Sequence, residues 1–446
     1  MKIVGLITEY NPFHNGHLYH IAEAKRVTGA DCVVVVMSGD YVQRGLPAIM
    51  PKRLRADAAL KCGASAVFEL PVCYSTGSAE LFAQGAVSLL DSLNVVDYLC
   101  FGSECGDLET LSRVADVLNQ EPDEYRALLR SNLKKGCSFP AARQAALSDY
   151  LPKSLHSSSA ILNDPNNILG IEYLKALKKI HSSIQPFTIK RHGSHYHDTT
   201  LSSEHLSSAS AIRSLLAFSS SSIQTDLVET DYDIDSPSYR PPIHSSFEGT
   251  SVRSIFGELE GQVPASCLDL LKDHHKVSYP IYQNDFSLIL KYKLLNKHPD
   301  SLIRYADISQ ELANRICSQL NYYFNYSQFS ELLKTKELTQ TRINRALLHI
   351  MLGIKTEHVS EYTNAGYHFY AKLLGFRKDQ EHLISRISKE STLPLLTQLS
   401  RTNDISTLGR RMLRNDILAS NLYTSVITDK YKTAFQNEFK QPLIKI

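Results

Sequence analysis

The segment Thr8-Glu9-Tyr10-Asn11-Pro12-Phe13-His14-Asn15-Gly16-His17 sets two imidazoles around a glycine just after an apolar run, KIVGLIT at 2–8. At a helix start this pattern makes a phosphate site. Glycine lets the backbone approach an anion, and the helix dipole and its unbonded N–H groups favour negative charge. His14 and His17 can donate hydrogen bonds to phosphate oxygens as charge builds on a leaving group. The plainer alternative is two polar residues capping a helix. Farther along, His192, His195, His197 and His205 invite a metal reading. The H-x-x-H-x-H spacing lacks an obvious carboxylate partner, so no structural metal is expected there.

The elements that must position these residues follow from the hydrophobic pattern. Continuous apolar runs at 2–8, 32–37 (CVVVVM), 66–70 (AVFEL) and 96–101 (VDYLCF) alternate with helical stretches at 17–27, 52–62 and 78–92. Unbroken apolar runs are the mark of buried parallel strands, and about 30 residues from strand to strand fits a βαβ unit. The expected fold is α/β, a Rossmann-like doubly wound parallel sheet whose ligands sit at the carboxyl ends of strands. Residues 107–150 and 165–181 read as helical, and PFTIKR at 186–191 as a further strand. The 219–250 segment holds four consecutive serines, five acidic residues between Asp226 and Asp235, and Pro237, Pro241 and Pro242, a composition that suits a loop. From 281 the pattern is almost entirely helical, including 309–323, 341–353 and 408–422. Three parts are expected: a catalytic domain at 1–218, a loop-rich linker at 219–280, and a helical domain at 281–446.

Charge separates the ends. Residues 281–446 carry 23 Lys/Arg against 15 Asp/Glu, and residues 1–280 carry 25 against 31, so a net charge of +2 conceals +8 and −6. A basic helical third suggests a polyanion partner. Lys334, Lys336, Arg342 and Arg345 cluster there, followed by Arg410, Arg411 and Arg414. Clustered cations suit a phosphate backbone. The run Tyr322-Tyr323-Phe324-Asn325-Tyr326 suits either core packing or stacking on unpaired bases. The first residues lack the long apolar stretch of a signal peptide, and no run reaches the ~18 apolar residues of a membrane span. A cytoplasmic protein is expected, without a membrane or an obligate protein partner. Its eight cysteines show no C-x-x-C and are expected as buried thiols.

Four stretches together resemble the tRNA(Met) cytidine acetate ligase family of the HxGH-type nucleotidyltransferase superfamily: GLITEYNPFHNGH (5–17), SGDYVQRGLPA (38–48), FGSE (101–104) and PNNILGIEYLKAL (165–177). The similarity continues through KRHGSHYHD (190–198), SSASAIR (207–213) and TRINRALLHIMLG (341–353). It implies an enzyme that adenylates acetate with ATP, releases pyrophosphate, and passes the acetyl group to N4 of the wobble cytidine of elongator tRNA(Met). It also implies that the loop Ile7–His20, with Leu18, Tyr19 and His20 opening the helix, holds ATP, and that His14, His17 and Arg213 act on the phosphates. Ser208 and Ser210 would bind ATP, as caps and donors at the start of the Arg213 helix. Gly102 would leave room for adenine or ribose, and Asn166, Asn167, Arg191 and His192 would contact the nucleotide. Gln43 and Arg44 would hold acetate or orient the α-phosphate. Mg²⁺ would enter with ATP, bound mostly through phosphate oxygens. The alternatives are an adenylyltransferase for a small metabolite and a non-enzymatic RNA-binding protein with a vestigial nucleotide fold.

Overall fold

The computed structural model describes residues 1–137, 139–151, 161–191, 207–218, 252–400 and 404–446. In chain order the strands are β1 (Ile3–Thr8), β2 (Cys32–Ser38), β3 (Tyr41–Val42) and β4 (Leu46–Pro47), which form a separate antiparallel hairpin, then β5 (Ala66–Leu70), β6 (Tyr98–Ser103) and β7 (Gln185–Lys190). Strands β5, β2, β1, β6 and β7 lie side by side and all run parallel. The chain leaves β1 toward β2 and β5, then returns to place β6 and β7 on the other side. This puts the topological switch point at the carboxyl ends of β1 and β6, the crevice where such sheets bind ligands. Every residue of β2 is buried, which is why its sequence is an unbroken apolar run.

The 281–446 region is mostly helical, as its periodicity indicates, but three strands interrupt it: β8 (Ala371–Phe376), β9 (Leu395–Leu396) and β10 (Ile444–Lys445). Strand β8 pairs antiparallel with β5, and β9 and β10 pair with β8. A buried charge cluster joins the two ends of the chain here. Lys372 of β8 reaches Glu69 of β5 at 2.7 Å and Glu438 at 2.6 Å, while Lys52 reaches the same two carboxylates at 2.8 and 2.7 Å. Removing one member of such a buried set leaves its partners as unpaired buried charges, which costs about 3–5 kcal/mol.

Within 219–280, the described residues form the helices Val252–Leu259 and Ala265–His274, so that stretch is only partly loop; residues 219–251 lie outside the described residues. Five of the eight cysteines are buried, Cys105 and Cys317 are partly so, and Cys137 is exposed, which corrects the expectation for that residue. No helix among the described residues is long and apolar enough to cross a membrane.

Candidate active site

The first helix, Asn15–Thr28, starts at the end of the loop that follows β1. His14 is its N-cap, and its Nδ1 accepts from the Gly16 N–H at 3.0 Å. His17 reciprocates, its Nδ1 accepting from the His14 N–H at 3.3 Å. Because each Nδ1 accepts a hydrogen bond, the neutral rings carry their proton on Nε2, and that N–H is the donor each can offer a ligand. The two rings lie 3.8 Å apart between centroids. Burial, helped by Arg191 and Arg213, pushes His14 down to about 3. Burial and the neighbouring His14 hold His17 well below its ordinary value, and burial with Arg191 takes His20 down to about 4. All three are neutral donors at pH 7. A Cβ on Gly16 would sit 2.9 Å from Cε1 of His14, so only glycine lets that ring fold over the helix start.

The second motif closes on the first. Ser208 caps the helix Ala209–Phe218, its Oγ accepting from the Ala211 N–H at 3.0 Å. One turn on, Arg213 donates to the Asn11 carbonyl at 2.7 Å and to the Ser210 hydroxyl at 2.9 Å. Loop 8–14 and helix 209–218 therefore form one cationic and imidazole-lined pocket from segments 202 residues apart. Arg55, fully buried, braces it by donating to the Met50, Glu9, Ser38 and Gly39 carbonyls, which ties the loops after β1 and β2 together.

These groups open into a cavity of about 940 Å³. Ile7, Thr8, Glu9, Tyr10, Asn11, His14, Gly16, His17, Tyr19 and His20 line it, as do Gln43, Arg44, Gly102, Asn166, Arg191, Ser208, Ser210 and Arg213. A Cβ on Gly102 would meet the Arg191 side chain at 3.4 and 3.9 Å and the Ile189 carbonyl at 3.9 Å, all ordinary contacts. Gly102 itself lines the cavity. The asparagine pair divides its work. Asn166 lines the cavity, whereas Asn167 is buried, its Oδ1 accepting from the Glu104 and Cys105 N–H groups at 3.0 and 3.1 Å. The Glu104 carboxylate answers by accepting from the Asn167 N–H at 2.9 Å and the Asn166 amide at 2.5 Å.

Four of the expected loop residues lie outside the lining. Phe13 packs against Tyr10 and His17, Asn15 donates to the Gly261 carbonyl, and Leu18 is exposed. Pro12, the fourth, is buried in the loop. His192, His195, His197 and His205 lie outside the described residues. Among the described residues, no group of three or more His, Cys, Asp or Glu side chains is placed to hold a metal ion.

Gln43 and Arg44 sit at the tip of the β3–β4 hairpin. The Gln43 N–H donates to Glu9 at 2.9 Å, and Gly45, at φ 74°, presses against the backbone of Asn344 and Arg345. The hairpin thus carries the cavity's edge onto the helix Gln340–Leu352. Sequence reasoning missed what lies beyond it: Tyr282, Gln283, Asn284, Asp285, Ser327 and Lys430 line the same cavity. Their signal is a pairing across 145 residues, Lys430 to Asp285 at 2.7 Å, which no local spacing reveals.

The basic residues divide as well. Lys334, Lys336, Arg410 and Arg414 are exposed and Arg342 is half-buried. Arg345 is held by Asp307 at 2.9 and 3.2 Å, and Arg411 pairs with Glu361 while lying over the Tyr362 ring. The aromatic run is divided: Tyr323 and Tyr326 are core, at 4% and 1% exposure, while Tyr322 and Phe324 stand out at 58% and 72%.

Residues 1–438 match the family described as HIGH nucleotidyl transferase. The chain is 37% identical over 446 residues to a tRNA(Met) cytidine acetate ligase of Acetivibrio thermocellus, covering all of both chains. It is 38% identical over 447 residues to the ligase of the same name from Caldanaerobacter subterraneus subsp. tengcongensis, again at full coverage. In three dimensions it resembles the crystal structure of apo Thermotoga maritima TmcAL with a TM-score of 0.86 at 31% identity, and that of the same protein bound with α-thio ATP with a TM-score of 0.83 at 30% identity, each covering 100% of both chains.

Proposed function

The chain belongs to the tRNA(Met) cytidine acetate ligase family, and from that premise we propose that it adenylates acetate with ATP and transfers the acetyl group to N4 of the wobble cytidine of elongator tRNA(Met). Acetate is a poor acylating agent at neutral pH, and its mixed anhydride with AMP supplies the leaving group. A carboxylate oxygen attacks the α-phosphorus, the bond to the β-phosphate oxygen breaks, and pyrophosphate departs. The protein's task is alignment and neutralisation of the developing charge.

The donors for that task are the Nε2–H groups of His14 and His17 and the guanidinium of Arg213. The observation that carries the reading is the Arg213–Asn11 contact, which closes the two phosphate-binding segments into one pocket. Gln43 and Arg44 are suited to the acetate carboxylate. Mg²⁺ would travel with the nucleotide; the pocket's imidazole and guanidinium donors leave its coordination to phosphate oxygens and water. The acceptor is a large polyanion, and the exposed Lys334, Lys336, Arg410 and Arg414 give it a cationic surface.

Acetate-dependent exchange of labelled pyrophosphate into ATP tests the first half. Exchange is expected for the wild-type chain and its loss for His17→Ala, with tRNA binding retained. Wild-type exchange rates in His17→Ala would remove the imidazole from the phosphate role.

A further inference from the structure

Residues 281–285, Ser327 and Lys430 form a wall of the cavity to which the acetate-activation reading assigns no task. That wall is nevertheless tied to the phosphate loop. Ile49 stands between the two, its N–H donating to Asn11 Oδ1 at 2.8 Å while its carbonyl accepts from the Ile281 N–H at 3.0 Å. Next in sequence, Tyr282 caps a short helical turn with Asp285, whose Oδ2 accepts from the Tyr282 N–H at 2.7 Å. The same oxygen takes the Lys430 ammonium at 2.7 Å, and that ammonium lies 4.8 Å from the centre of the Tyr282 ring. Both contacts to Asp285 fall on Oδ2; among the described residues Oδ1 accepts no hydrogen bond.

An acceptor oxygen beside an ammonium donor is the complement of one nucleobase edge. Cytosine presents its N4 amine, a donor, next to N3 and O2, which are acceptors, whereas uracil presents an acceptor at O4 and a donor at N3, with O2 again an acceptor. Carboxylates accept from cytosine N4, and lysine donates to base acceptors. An aromatic ring beside such a pair is what stacks an unpaired base taken out of its strand. Ser327, whose N–H donates to Asn284 at 2.8 Å, follows directly on the turn that exposes Tyr322 and Phe324.

We propose that Asp285 and Lys430 are the specificity-determining pair for the acceptor cytidine, with Asp285 Oδ1 accepting from the N4 amine, Lys430 donating to N3 or O2, and Tyr282 flanking the base. This rests on the acetyl-transfer reading above. In the transfer step the N4 nitrogen attacks the acetyl carbonyl and forms the C–N bond. The bond from that carbon to the AMP oxygen breaks, AMP leaves with its electron pair, and one N4 proton passes to the Asp285 carboxylate. The cavity's size, near the upper end of the ~300–1,000 Å³ range of small-molecule sites, suits a nucleotide and a second base together.

The two half-reactions separate the roles. Acetyl transfer to elongator tRNA(Met) and acetate-dependent pyrophosphate exchange are measured in parallel for the full chain and for Asp285→Asn, Lys430→Met, Tyr282→Leu and Tyr282→Phe. Transfer is expected to fall about 10- to 100-fold more than exchange in the first two, as the loss of a charged hydrogen bond implies. Tyr282→Phe should keep the transfer that Tyr282→Leu loses. Competition by the same tRNA carrying uridine at the target position should be weak for wild type and stronger for Asp285→Asn, whose amide can donate to uracil O4. Equal losses in both half-reactions, or full transfer in Asp285→Asn and Lys430→Met, would overturn the pair while leaving the ligase reading intact. Wild-type exchange without transfer to any cytidine would overturn the ligase reading, and the pair with it.

Discussion

Replacing Gly16 by alanine isolates the fit of the phosphate loop from its chemistry. The added methyl would stand 2.9 Å from Cε1 and 3.1 Å from Nδ1 of His14, where ordinary contact begins near 3.4 Å. The ring must retreat by about half an ångström. That retreat stretches the 3.0 Å hydrogen bond by which His14 caps the helix and disturbs its 3.8 Å stacking on His17. Loss of a cap costs about 0.5–2 kcal/mol of stability, so the fold should survive. Catalysis is more sensitive, since a misplacement approaching 1 Å costs about 100-fold. The expected result for Gly16→Ala is therefore a fall of about 30- to 100-fold in kcat/KM for acetate-dependent pyrophosphate exchange, with a modest drop in Tm. Gly29→Ala is the control. It strains a left-handed position (φ 62°) at the end of the same helix but meets nothing within 4 Å, so it should lower Tm by a similar amount and leave exchange unchanged. Exchange in Gly16→Ala within about threefold of wild type would refute the claim that this imidazole must be held against the helix start.

Two further outcomes follow from the same geometry. His14 takes up a proton near pH 6.5 when unfolded but only near 3 when folded, so the unfolded state binds more protons across that window and stability falls as pH drops below 6.5, by up to about 1.4 kcal/mol per unit from this residue. Urea denaturation between pH 7 and 5 should show a shallower decline for His14→Asn than for wild type, and identical slopes would contradict it. Gly45→Ala adds a methyl 2.3 Å from the Arg345 nitrogen at a left-handed φ of 74°. Backbone strain and overpacking together should cost about 2–5 kcal/mol, and an unchanged Tm would mean that the hairpin is not seated on that helix.

Strands β1, β2, β5 and β6 were legible because they are almost wholly buried, so their sequences are nearly unbroken apolar runs; β5 begins and ends where AVFEL does, while edge strand β7 (QPFTIK) is mostly half-buried or exposed. Strand β8 was hidden by its own function. Its AKLLGF sequence carries Lys372 into the buried charge cluster, and a lysine in mid-strand between helical stretches reads as helix surface. The two motifs that line the cavity were legible because each is local: His14, Gly16 and His17 share one helix start, and Ser208 and Arg213 another. The far wall of the cavity was not, since Asp285 and Lys430 come together only across 145 residues. Arg345 shows the opposite failure, a cation that resembles free surface charge until Asp307 is found beside it.

The most direct measurement incubates the full chain with ATP, labelled acetate and elongator tRNA(Met), then digests the tRNA and separates its nucleosides. Label in N4-acetylcytidine at the wobble position, dependent on ATP, is the expected result. Label that stays with AMP, or that appears in any other nucleoside, would contradict the assignment of this cytidine as the acetyl acceptor.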